Sequence, residues 1–107
     1  MNNIILILLT HWVFDFVLQT DEMALEKGKN FWTLVNHSIV YSLGFLVVFG
    51  GREMFFILLV SHIIIDGISS RVAGYFYKIG DRHNFFVVIG LDQVLHYIVL
   101  IWIFGGL

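Results

Sequence analysis

The residues able to do chemistry fall into a repeated spacing. His11 and Asp15 stand four apart, as do His62 and Asp66; the order reverses in Asp92-Gln93-x-x-His96, and His37 stands alone between the first two pairs. On a helix, residues four apart share a face and are stacked about 6 Å along the axis, so each pair presents one imidazole and one carboxylate from the same stripe. Four such imidazoles and three carboxylates, in a chain without cysteine, suit Zn²⁺ or another divalent first-row metal better than Ca²⁺ or Mg²⁺, which prefer oxygen shells. Seven ligands exceed what one tetrahedral ion with an open position needs. They match a pair of ions sharing a bridging carboxylate and a water, which in hydrolases lie about 3.5–4 Å apart. His11, Asp15, His37, His62, Asp66, Asp92 and His96 are therefore the expected ligands of one or two ions. Asp15 or Asp92 is the expected acceptor of a proton from an attacking water.

These residues must be positioned by unusually apolar elements. Of 107 residues, 59% are hydrophobic and 13% charged, whereas about a quarter of a soluble domain is charged. Four apolar stretches, at about 4–19, 31–49, 54–70 and 85–104, carry all seven residues, and no Lys or Arg lies within them. Each approaches the roughly 20 residues that cross a hydrocarbon core, although the first and third are slightly short. Continuous apolar runs of this length are not the alternating segments of a barrel. Short polar links between them predict an all-α, integral-membrane fold: one domain forming a four-helix antiparallel transmembrane bundle. The longest link is expected over Arg71–Asn84, with Val72–Tyr77 either continuing the third helix or lying along the interface.

Charge gives an orientation and a constraint. Lys27, Lys29, Arg71, Lys78 and Arg82 fall in the first and third links, and Arg52 alone falls on the other side. The excess of basic residues places links one and three in the cytoplasm and both termini outside. An Asp at mid-membrane costs about 2.5–3.5 kcal/mol on insertion scales. Three of them without a basic neighbour in the apolar stretches need protons or a bound cation. Because the motif reverses in the fourth helix, all three pairs put Asp nearer links one and three and His nearer the termini. A single intramembrane His such as His37 serves equally well as interhelical hydrogen-bond glue, but three pairs in matching vertical order favour a shared cation. Gln19 and Tyr41 extend the stripes by one turn and could orient ligands. Asn36 and Gln93 are turned about 100° from their ligand neighbours. His83 and the Asp21-Glu22…Glu26-Lys27 stretch are expected to be solvated, and Trp12, Trp32, Trp102, Phe85 and Phe86 to face lipid or form a belt.

The net charge of −2 argues against nucleic-acid binding, which wants a basic face. The N-terminal run lacks a basic start and a small-residue cleavage site, and it carries His11 and Asp15. It is therefore expected to stay in the mature protein as a membrane helix.

The motif set His11-x-x-x-Asp15-Phe16-x-Leu18-Gln19, Asp21-Glu22-Met23-Ala24 to Lys27, His37, His62-x-x-x-Asp66 and Asp92-Gln93-x-x-His96 resembles a family of small prokaryotic and phage membrane proteins of unknown function. The likeness covers nearly the whole chain. Members of that family often carry a basic residue three positions after the third-helix Asp, where Ser69 stands here, with Arg71 close by. The set is also distantly similar to membrane-bound metal-dependent hydrolases. This resemblance implies an inner-membrane multi-pass protein more than it implies a reaction. The expected function is metal-dependent hydrolysis of a phosphoester or acyl bond in a membrane lipid or lipid-linked substrate, with a homodimer supplying walls that so short a chain lacks. A metal or proton carrier is the alternative from another class, and a metal-stapled partner-binding protein is the third.

Overall fold

The protein is described by a computed structural model over residues 4–17 and 29–105, and every regular element among these residues is helical. Helix α1 (Ile4–Trp12) runs on into Val13–Val17, which is wound more widely as a π-helix. Helices α2 (Phe31–Phe49), α3 (Arg52–Lys78) and α4 (Arg82–Gly105) follow.

Local chemistry explains the boundaries. Asn30 is extended, and its side chain accepts from the backbone N–H groups of Trp32 and Thr33 at 2.9 and 3.4 Å, so α2 starts on a side-chain cap. Helix α2 ends where Gly50 and Gly51 take φ of 76° and 95°, a region that only glycine enters at little cost. The chain reverses there within two residues. Residues 72–77 continue α3, which reaches Lys78, so only Ile79-Gly80-Asp81 separates it from α4. The long link expected over Arg71–Asn84 is thus mostly helix. The stretch contains no proline, and a lone Gly74 costs only about 1 kcal/mol relative to alanine, too little to end a helix.

Asp81 caps α4. The Asn84 backbone N–H donates to Asp81 Oδ1 at 3.1 Å and the Asn84 side-chain amide to Oδ2 at 2.7 Å. These bonds hold the Asp81 carboxyl below its ordinary pKa, with the backbone bond the larger cause. A depressed folded-state pKa means that the stabilisation is fully present above the unfolded value of about 3.9 and is lost as pH falls through the lower folded value. Hydrogen exchange at the Asn84 amide, corrected for its intrinsic rate, should therefore be flat above about pH 5 and accelerate below about pH 4. In Asp81→Ala the protection should be absent throughout.

Helices α2, α3 and α4 are each long and apolar enough to cross a membrane; the Ile4–Val17 segment is apolar but shorter. Its 14 residues span about 21 Å against a hydrocarbon core of about 30 Å. The polarity of the molecule is inverted relative to a water-soluble protein. Val47, Trp32 and Ile68 are exposed on the outside, whereas His, Asp, Ser and Thr side chains are buried. Trp12, Trp102 and Phe86 are also exposed, as is His83.

A small apolar cluster of Ile7, Tyr41, Phe45, Leu58 and Leu100 adjoins the polar interior. Its placement follows the helical repeat. Ile7, Leu58 and Leu100 each stand four residues from His11, His62 and His96, on the side away from the Asp. Three helices therefore carry the same vertical order of apolar residue, imidazole and carboxylate, and the apolar layer closes the interior on the side of the chain termini.

Candidate metal centre

All seven residues expected to do chemistry are buried, from 0% exposure for His11 and His62 to 7% for Asp92. The pairing crosses between helices. His37 Nε2 on α2 lies 2.8 Å from Asp15 Oδ1 and 3.3 Å from Asp66 Oδ2 on α3. His62 Nε2 lies 3.3 Å from Asp15 Oδ1 and 4.0 Å from Asp66 Oδ2. His96 Nε2 on α4 lies 3.2 Å from Asp66 Oδ1, closer than the 3.5 Å to Asp92 on its own helix. Among the described residues every ion pair joins a His to an Asp. Asp15 sits in the π-wound segment, a distortion that recurs at functional sites, yet its Oδ2 remains 3.5 Å from His11 Nε2.

Two overlapping sets of side chains could hold a cation. Asp15, His37, His62 and Asp66 form one, and Asp15, Asp92 and His96 the other; within each set the donor atoms lie within 4.8 Å of one another. Zinc bonds to imidazole and carboxylate of about 2.0–2.2 Å place tetrahedral ligands about 3.3–3.6 Å apart. The contacts within the first set, 2.8 to 4.0 Å, bracket that spacing. Carboxylate and imidazole donors without thiolate fit a borderline first-row cation, and a cation would offset three buried carboxylates. Asp15 belongs to both sets, and His11 to neither.

Several neighbours orient these groups. Ser38 Oγ lies 3.0 Å from His62 Nδ1, where it can accept the proton that an imidazole ligating through Nε2 carries on Nδ1. Ser69 donates to Asp92 Oδ1, so the position that differs from the resembled family faces a carboxylate of the centre. The Tyr41 ring lies on His62 with centroids 4.1 Å apart, its hydroxyl is 2.9 Å from His11 Nδ1, and it is fully buried. The rings of His62 and His96 stack at 4.5 Å.

Gln93 departs from expectation. Its Cβ direction is turned away from the stripe, but the side chain is long enough to reach back. Its Oε1 lies 2.8 Å from His11 Nε2, and its Nε2 donates to Asp92 Oδ2 at 2.9 Å. Asn36 is exposed, as its angular position requires. The Ser38–Ser42 pair at helical spacing on an apolar helix was the available signal for Ser38. Gln19, Lys27 and the acidic stretch from Asp21 lie outside the described residues.

A family model described as "Protein of unknown function (DUF3307)" matches residues 4–106. No curated protein and no solved structure matches the chain.

Proposed function

The chain belongs to the DUF3307 family of proteins of unknown function, and from that premise we propose that it is an integral-membrane, metal-dependent hydrolase. Its substrate is a phosphoester or acyl bond of a membrane lipid or lipid-linked molecule. The four segments form an up-down antiparallel transmembrane bundle in the cell (inner) membrane, with links one and three cytoplasmic and the termini outside. The inverted polarity supports that placement, since lipid is the solvent that accepts the exposed Val47, Trp32 and Ile68.

One observation carries the reading: Asp15 is common to both candidate ligand sets. A carboxylate shared between two adjoining donor sets is the arrangement of a two-metal hydrolytic site. A divalent first-row ion such as zinc, held by these residues, would supply a Lewis acid able to activate water near neutral pH. The protein's part is to hold the carboxylates and imidazoles in a fixed, dry layer. Asp15 is committed to both sets, so Asp92, which belongs to one, is the better acceptor for the water's proton. The apolar layer of Ile7, Leu58 and Leu100 seals the terminal side, which leaves the side of links one and three for substrate. A second copy of the chain would complete the substrate's walls.

Elemental analysis of the detergent-purified protein tests this reading. Two ions per chain are expected, and His62→Ala should lose metal and lipid-ester or phosphoester hydrolysis together. Unchanged metal content in that variant would overturn it. A second reading is favoured by the burial of all seven residues: a metal that only staples a small bundle. It predicts one ion, inert to exchange, whose chelation lowers the unfolding temperature of a protein without hydrolytic activity.

A further inference from the structure

We infer that His11 is not a metal ligand but a positioning residue that holds Asp92 through Gln93; the inference rests on the metal-centre reading above. The hydrogen-bond directions follow from the donors available. An ionised Asp92 can only accept, so the amide nitrogen of Gln93, 2.9 Å from Asp92 Oδ2, is the donor and the amide is fixed in one orientation. Its carbonyl oxygen then faces His11 Nε2 at 2.8 Å and can only accept, so Nε2 carries the imidazole proton. The neutral ring accepts at Nδ1, where the Tyr41 hydroxyl donates from 2.9 Å.

Both nitrogens of His11 are thus occupied, and neither has a lone pair left for a cation. Asp15 Oδ2 stands 3.5 Å from the same Nε2. His11 also stands outside both ligand sets on distance alone. The contrast with His62 is direct: its Nδ1 faces a serine hydroxyl and its Nε2 faces carboxylates of the centre. The chain Tyr41–His11–Gln93–Asp92 spans three helical segments. With Ser69 on the other oxygen of Asp92, it fixes the carboxylate's plane while each oxygen keeps a lone pair for a metal.

Loading the ¹⁵N-histidine-labelled protein with ¹¹³Cd tests the assignment on the wild-type chain. Cadmium–nitrogen coupling is expected for His37, His62 and His96, and none for His11, whose ring should show the Nε2–H tautomer. His11→Ala and Gln93→Leu should keep the wild-type number of ions and weaken metal affinity about 10–100-fold, the usual effect of removing a partner that orients a ligand. The double variant should be no weaker than either single one, because the two residues act in one chain. Cadmium coupling to His11, or additive losses in the double variant, would overturn the assignment and leave the metal centre standing. A wild-type protein that binds no cadmium at all would remove the centre itself.

Discussion

Asp15→Asn should empty the entire centre, whereas Asp92→Asn should empty half of it. The asymmetry follows from membership: Asp15 completes both donor sets, and Asp92 only one. Asparagine keeps the shape and the volume and removes the charge, so packing around Val13–Val17 should survive. Two effects then add on the metal. A carboxylate is lost from both donor sets, and the buried anionic charge falls by one. Metal content measured on the purified variant should fall to near zero for Asp15→Asn and to about half the wild-type value for Asp92→Asn. Hydrolysis should fall to near background in the first variant, because the ions that would activate the water are lost with Asp15.

The thermodynamic cost should be smaller than the functional one. The Asp15 carboxylate accepts from His37 and His62 at 2.8 and 3.3 Å. Both bonds end on Oδ1, and an asparagine oxygen placed there has two lone pairs to accept them, so what is lost is the charge that strengthens each bond. Thermal unfolding of the metal-free forms isolates that contribution. Equal metal loss from Asp15→Asn and Asp92→Asn would show that the two sets do not share Asp15.

Gly44→Leu should disrupt the same centre from a distance. A Cβ added at Gly44 would lie 2.2 Å from Phe14 Cγ and 2.3 and 2.5 Å from its two Cδ atoms. The base of the ring is struck rather than its tip, so no small rotation relieves the contact, and Phe14 must leave the face of α2. Phe14 immediately precedes Asp15, so its displacement moves the shared carboxylate. Even alanine tests the balance. Overpacking costs about 1–3 kcal/mol, and replacing a mid-helix glycine returns about 1 kcal/mol of helix propensity. Gly44→Ala already carries that Cβ and should be clearly destabilised, Gly44→Leu more so, with metal affinity falling in the same order. Phe14→Ala in the Gly44→Leu background should recover metal binding by vacating the ring's volume. If Gly44→Leu binds metal like the wild type, α1 does not depend on this contact.

Helix type and the chemistry of the interior were legible from residue order. The bounds of α2 at Phe31 and Phe49 coincide with the apolar stretch, because a side-chain cap begins it and a glycine pair ends it. The extent of α3 was less legible, since Arg71 and Lys78 are as compatible with a helix end as with a link. His83 and Asn36 lie where their surroundings and helical angle put them.

By itself, then, the amino-acid order determined four apolar stretches, three of which form helices long enough to cross a membrane, and that each polar pair shares a stripe with an apolar residue one turn beyond its His. These are properties of one helix at a time, fixed by a repeat of about 3.6 residues per turn. What the tertiary structure alone decided is how the stripes meet. His96 lies nearer Asp66 than its own Asp92, Asp15 is shared, and Gln93 reaches His11. The relative rotation and offset of the helices settle these matters, and they depend on contacts such as Phe14 against Gly44 and Leu34 against Gly67. Periodicity places a side chain on its own helix; only packing between helices brings the donor atoms to within 4.8 Å of one another.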